Sequence, residues 1–269
     1  MKLLILTAAF CWFSIGWGNL PLLCGNDSNA DAIAAPLSDR LAQFPDWKSQ
    51  PPLKPAQGNL QYPDWFLGEW EVTSTLTTLK APLAPDIVTP GFAGQKKSLD
   101  QPVVFTVRFI REALAPKIGL ASVPDEGIAD SGDLTTVADQ AYNSRSLMTA
   151  YLGQEAVRSV AVDPKDPTRQ IMRLKGDRKL TSVISDRATE SQEGEFITSE
   201  LFQQIFSSAR QIYVNQVENT TDYQRDGSQI EADQITAIYL SPQDPQYFKA
   251  GNQPVALYRY HLTLKTLQD

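Results

Sequence analysis

From Gly68 onward the chain alternates. Trp70, Val72, Ser74 and Leu76 are separated by Glu71, Thr73 and Thr75, and Phe105, Val107 and Phe109 by Thr106 and Arg108. Successive side chains of a strand point to opposite faces, so a period of two that sorts apolar from polar marks strands with one face buried. Comparable runs cover 156–162, 169–174, 179–189, 195–203, 210–223, 229–240 and 255–266. Turn residues separate several of them: Asp163-Pro164-Lys165-Asp166-Pro167, Gly176-Asp177, Asp226-Gly227 and Ser241-Pro242-Gln243-Asp244-Pro245. Spacers this short favour hairpins and an antiparallel meander. In 134–152 the spacing is helical instead, through Leu134, Val137, Ala138, Ala141, Leu147 and Tyr151, and 202–208 reads as a second short helix. Roughly eight or nine successive strands without alternating helices favour one sheet closed on itself over a β-sandwich. The expected fold is mainly β: a single antiparallel up-and-down β-barrel with one or two short helices.

Composition narrows the function. The chain has 269 residues, 42% of them hydrophobic, enough for one roomy core. With 24 basic and 31 acidic residues its formal charge is −7, which gives no counterion-release drive toward nucleic acid and repels anionic lipid headgroups. A single His argues against a His-based metal site or a Ser-His triad. Phosphate-cradling glycine loops and a Gly-x-Ser-x-Gly elbow are absent from the sequence.

The first segment reads as an export signal. Met1-Lys2 precedes a mostly apolar run from Leu3 to Leu23, and Ala30-Asp31-Ala32 offers a small-residue cleavage site that leaves Ile33 as the new N-terminus. An uncleaved anchor is the alternative, weakened by Asn19 and Pro21. Cys11 and Cys24 both precede the cut, so the mature chain is expected to contain no thiol. Six prolines between Pro36 and Pro63 then mark an extended arm, with Phe44-Pro45-Asp46-Trp47 and Tyr62-Pro63-Asp64-Trp65 as aromatic anchors that lay it against the domain. The expected division is a signal peptide over 1–32, the arm over 33–64 and the barrel domain over 65–269.

Gly68-Glu69-Trp70, at the first strong strand, resembles the lipocalin (calycin) start, where glycine lets the chain enter the barrel floor and the indole closes that end. Thr221-Asp222-Tyr223 resembles a lipocalin loop between late strands, and Arg259 in the last strand stands where the lipocalin arginine covers that indole. The resemblance implies a structural closure set of Gly68, Trp70, Asp222 and Arg259. The proline-bearing segment 79–102 is similar to the long lid of that fold. Tyr62-Pro63-Asp64-Trp65, the segment 81–92, Ser241-Pro242-Gln243-Asp244-Pro245 and Tyr258-Arg259-Tyr260 resemble a cyanobacterial and plastid family associated with export to the thylakoid lumen. That likeness implies a photosynthetic setting, in the thylakoid lumen or the periplasm, and supplies no catalytic residues.

The interior carries the functional expectation. Phe105, Val107 and Phe109 share one strand face, and Tyr258 and Tyr260 another. Arg108, Tyr213, Asn215 and Tyr239 are the expected polar fixtures of the ligand site, with Arg111 near them. Tyr213 and Asn215 share a face with Val217, a mixture that a dry core tolerates poorly. Glu218, Asp222, Asp226, Glu231 and Asp233 match no Ca²⁺ loop and read as solvated turn and edge charge; His261 reads as an outer-face residue. The sequence thus points to a non-enzymatic, cofactor-free exported protein, peripheral to the membrane. It is expected to hold a small apolar ligand: a lipid, quinone, carotenoid or tetrapyrrole. The alternative is an assembly or stability factor for a photosynthetic membrane complex, its barrel filled and the proline-rich arm serving as contact surface.

Overall fold

The computed structural model describes residues 36–113, 134–209 and 211–267. The expected signal peptide over 1–32 lies outside them. The fold is mainly β, an antiparallel up-and-down sheet curled into a half-barrel, with a few short helices. Two short strands, β1 (Lys54–Pro55) and β2 (Gln61–Tyr62), precede the long ones. These are β3 (Gly68–Lys80), β4 (Pro102–Ala113), β5 (Leu134–Ala138), β6 (Val157–Asp163), β7 (Asp166–Leu174), β8 (Arg178–Gln192), β9 (Glu195–Ser207), β10 (Ile212–Asp226), β11 (Gln229–Leu240) and β12 (Ala256–Thr266). The helices are α1 (Leu37–Ala42), α2 (Phe92–Gln95), α3 (Gln140–Leu152) and α4 (Tyr247–Ala250).

Strand order is β2-β5-β4-β3-β12-β11-β10-β9-β8-β7-β6, with β1 alongside β8. The first long strand and the last are therefore neighbours, from Trp70 opposite Thr266 to Lys80 opposite Leu257. The curl stops short of a closed ladder, since β6 ends the sheet on the side away from β7. Helix α3 packs on both β4 and β6 and fills that gap. It meets the free edge of β4 with side chains: Ser146 Oγ accepts from Thr106 N (3.0 Å), Asn143 Oδ1 from Arg108 N (2.6 Å), and Asn143 Nδ2 donates to Arg108 O (3.0 Å). On the other flank Arg145 donates to the carbonyl of Arg158 in β6 (3.3 Å). A helix thus stands where a further strand is missing.

Two expectations are corrected. Residues 134–138 are strand, and helix begins only after Asp139, whose carboxylate caps it by accepting from Tyr142 N. Residues 202–207 continue β9, because β8 and β10 pair with both of its edges there, and Ser208 follows the strand. Register irregularities between Arg259/Tyr260 opposite β3 and between Ile184/Asp186 in β8 add local twist, which helps a sheet of this width to curl.

The inner face holds the main core. At one end the rings of Tyr62, Phe66, Phe109, Phe196 and Tyr223 pack together, edge to face for Tyr62–Phe109 (centroids 4.8 Å apart) and Phe66–Tyr223 (5.1 Å). Trp70 joins them and donates its indole N–H to the Phe66 carbonyl (2.7 Å). Gly68 opens β3 at φ 121°, a conformation that costs glycine little. At the other end the segment between β3 and β4 folds inward, burying Ile87 and Phe92, the latter against Tyr258 (5.9 Å).

The arm is laid on the outer face. Trp47, Leu41 and Phe44 cover Ile235, Ala237, Tyr239 and Leu257 of β11 and β12. Arg40 of α1 reaches Glu218 of β10 through two bonds, Nε–Oε1 2.9 Å and Nη2–Oε2 2.7 Å, while its guanidinium lies 3.7 Å over the Trp47 ring. Tyr239 adds a bond from its hydroxyl to Glu218 Oε2 (2.6 Å).

Candidate functional site

One rung of the inner face breaks the apolar lining. Gln170 of β7 stands opposite Ser182 of β8, Ser182 opposite Gln204 of β9, and Gln204 opposite Asn215 of β10. All four are buried. The rung on one side is Met172, Leu180, Phe206 and Tyr213, backed by Met148 from α3. On the other side it is Ile184, Phe202 and Val217, part of the main core. The polar rung therefore separates two apolar clusters. Alternation within each strand places all these residues on one face, and the paired register aligns them across four strands.

These amides are poorly satisfied. Both polar atoms of Gln204, both of Asn215, and Oε1 of Gln170 and of Gln140 on α3 have no hydrogen-bond partner. Gln170 Nε2 makes one long bond, to the Gln140 carbonyl (3.4 Å). Leaving a buried donor or acceptor unmet costs about 1–3 kcal/mol, so a rung like this is unfavourable in a core with no other purpose. Beside it, burial pushes the Tyr213 hydroxyl up to about 12, and the nearby Asn215 amide eases that rise without closing a hydrogen bond of good geometry. Amides and phenols of this kind exchange no proton near neutral pH. They orient and recognise.

A second buried polar group is largely paired, with Gln234 Nε2 donating to Thr236 Oγ1 (3.4 Å) and only Gln234 Oε1 in it unmet. Arg187 of β8 pairs with Glu200 of β9 (2.6 Å), and Thr236 donates to Asn219 Oδ1 (2.8 Å). Among the described residues no group of three or more His, Cys, Asp or Glu is arranged to hold a metal ion. A cavity of about 240 Å³ lies under the arm, lined by Leu37, Arg40, Gln50, Leu53 and Glu190 among others. Its charged atoms are occupied, since Glu190 accepts from Leu37 N (2.7 Å) and Arg40 is held by Glu218.

The expected site residues divide by strand phase. Phe105, Val107, Phe109, Tyr258 and Tyr260 line the main core, while Tyr213 and Asn215 belong to the polar rung and its neighbour. Arg108 does not join them. It alternates with Phe109, faces outward, and is held by Asp139 and Glu69 with Tyr142 under its guanidinium (4.5 Å). Arg111 likewise pairs outside with Asp64 (2.6 Å). Tyr239 alternates with Ile238 and lies outside too; the arm, not the barrel interior, buries it. His261 is outside as expected, 3.2 Å from Glu231.

The closure set is also corrected. Arg259 stands opposite Thr78 while Trp70 stands opposite Thr266, seven positions further along β12 by residue number, so no arginine covers the indole. Arg259 instead forks onto Asp233 (3.0 and 2.7 Å) beneath Phe44. Asp222 sits mid-strand in β10 opposite Asp233, not in a loop. The tyrosine and phenylalanine stack, together with Trp70, closes that end. Glu218, read from the sequence as a solvated charge, is fully buried beneath the arm.

Sequence reasoning missed Gln170, Ser182, Gln204 and Gln140. Asn215 was visible through its contrast with Val217, and the same contrast of Gln204 with Phe202 and Phe206 was available once 202–207 is read as strand. No curated protein and no solved structure matches the chain. Residues 54–268 match DUF6816, described as a domain of unknown function, and that span takes in the whole sheet; the chain belongs to this family.

Proposed function

We propose that the chain is a binding protein whose curled sheet takes up one small, mainly apolar molecule. The observation that carries this reading is the rung of buried, unmatched amides between two apolar clusters. An apolar body between the clusters and a polar end against Gln204 and Asn215 would satisfy both kinds of wall. The rung amides have no solvent exposure, so entry requires the interior to open. The seam at α3 is the wall that yields, because side-chain bonds hold the helix there in place of a strand ladder. The adjacency of the first long and last strands supports a lipocalin-like kinship; the missing Trp–Arg contact makes that kinship one of shape alone.

The setting is part of the same proposal. The N-terminal sequence and the resemblance to thylakoid-lumen proteins support export to the lumen or periplasm of a photosynthetic cell. No helix among the described residues is long and apolar enough to cross a membrane. The rival reading, with the arm as a docking surface for a membrane complex, meets a Trp47 that is 1% exposed and packed against Ile235, Ala237, Tyr239 and Leu257 of the sheet. Ile33 is the expected first residue of the exported form, which N-terminal sequencing checks.

The decisive experiment is extraction and titration. The full chain, purified from a photosynthetic bacterial host, should release a near-stoichiometric small amphiphile into organic solvent. The emptied protein should show a saturable rise in the fluorescence of the neutral apolar probe N-phenyl-1-naphthylamine. An empty extract with no probe signal would overturn the proposal.

A further inference from the structure

The buried rung also says what the bound molecule's polar end must be, an inference that rests on the binding reading above. On the rung and at Gln140 beside it, the unmet groups are two amide NH₂ groups, on Gln204 and Asn215, and four amide oxygens, on Gln140, Gln170, Gln204 and Asn215; two further unmet oxygens lie off the rung, Asp166 Oδ2 at the start of β7 and Gln234 Oε1 in β11 opposite Thr221. An NH₂ group offers two donors and an amide oxygen two lone pairs. A molecule that only accepts, such as a quinone carbonyl or an ether, would serve the NH₂ groups and leave Gln140 and Gln170 without donors. A hydrocarbon would serve neither.

Charge narrows the choice further. A carboxylate or phosphate buried here would need a cation, and among the described residues the inner-wall cation Arg187 is already paired with Glu200. Tyr213, the titratable group beside the rung, keeps its proton far above neutral pH and adds no charge. Burying an unpaired anion is far more costly than burying a neutral polar group.

From this count we infer that the site selects a neutral head group that both donates and accepts hydrogen bonds, a hydroxyl or a primary or cyclic amide, on an apolar body. Free fatty acids, phospholipid phosphates and unsubstituted hydrocarbons are discriminated against. Asn215 and Gln204 are the recognising pair. They face each other across β9 and β10, and each presents a donor and an acceptor on one side of the ligand. Gln170 and Gln140 supply acceptors from β7 and α3, so the ligand's donor is drawn toward the seam through which it enters.

The test uses four probes with one eight-carbon chain: 1-octanol, octanamide, octanoate at pH 7 and octane. Each is titrated into the full chain against bound N-phenyl-1-naphthylamine. Octanol and octanamide should displace it at concentrations about ten-fold or more below those needed for octanoate and octane. The near-isosteric double variant Gln204→Met/Asn215→Leu should lose that preference, with octane binding unchanged or tighter. Its melting temperature should rise, which shows that the variant folds and that the amides are kept at a cost to stability. Octanoate competing as well as octanamide, or a double variant that keeps the preference, would overturn the head-group assignment while leaving the container intact. Failure of all four probes and of the naphthylamine would remove the container itself, and the assignment with it.

Discussion

A carboxylate removed from water on the outside of a sheet is the strongest single-residue statement this chain makes. Glu218 has no solvent exposure, and its charge is met by the forked guanidinium of Arg40, the Tyr239 hydroxyl and the Thr220 hydroxyl. Removing one member of such a pair leaves the other buried and unpaired, which typically costs about 3–5 kcal/mol. Arg40→Ala should therefore lower unfolding free energy in urea by about that amount. Arg40→Lys should recover only part of it, since an ammonium lacks the planar fork. Asp222 shows the opposite balance. Partial burial and the Glu195 charge raise its pKa above the ordinary aspartate value, with Gln224 bonding against the rise. A carboxyl with a raised native pKa binds its proton more tightly folded than unfolded, so its ionisation weakens the fold above the ordinary aspartate range. Asp222→Asn should be more stable than the parent at pH 7, and the gap should shrink as the pH falls toward 4. Paired thermal melts across that range check the sign; a gap that widens on acidification would contradict it.

Among the elements, α3 is the one that departs most from a plain meander. Its Asn143 closes both the N–H and the carbonyl of Arg108, and Ser146 closes the N–H of Thr106, groups that a neighbouring strand would otherwise take. Asn143→Ala leaves two backbone groups and the seam unsupported. It should cost about 1–3 kcal/mol, and it should speed hydrogen exchange selectively at Thr106 and Arg108 while the β9–β10 amides keep their protection. Uniform acceleration across the sheet would mean that the seam is no weaker than the rest. The strands themselves were legible because alternation and burial coincide: 229–240 is strand as expected, and 255–266 differs by one residue. Element 134–152 was blurred because Leu134, Val137 and Ala138 suit either period, and the break falls at Asp139, whose capping role depends on where β4 lies. Arg108, Tyr239 and Arg259 were assigned to the wrong side or the wrong partner for a related reason. Residue type signals that a polar group needs a partner, but strand phase decides its face and register decides whom it meets. The polar rung had the same status: Asn215 alone was suggestive, and only register shows that Gln204, Ser182 and Gln170 extend it.

At the scale of the molecule, the sheet is curled but not closed by hydrogen bonds, and two additions complete it. Helix α3 seals the gap between β4 and β6, and the arm covers an outer face that would otherwise present Ile235, Ala237, Tyr239 and Leu257 to solvent. A free apolar sheet face of that composition favours self-association. The arm's fastening through Arg40 and Trp47 lies N-terminal to the span that defines the family, which begins at Lys54. A chain beginning at Lys54 therefore keeps every strand and the complete polar rung while losing the cover and the partner of Glu218. It should keep a strand-dominated circular dichroism spectrum, melt well below the parent and associate with rising concentration by light scattering. Adding Glu218→Gln to the truncated chain should recover part of the lost melting temperature, because it removes the uncompensated charge and leaves only the uncovered apolar surface. If the truncated chain stays monomeric and melts with the parent, the arm is an appendage and its burial of Trp47 and Glu218 contributes nothing to the fold. If instead it loses association control but still shows probe binding, cover and container are separate devices: one keeps the outer face of the sheet dry, and the other governs what the inner face takes up.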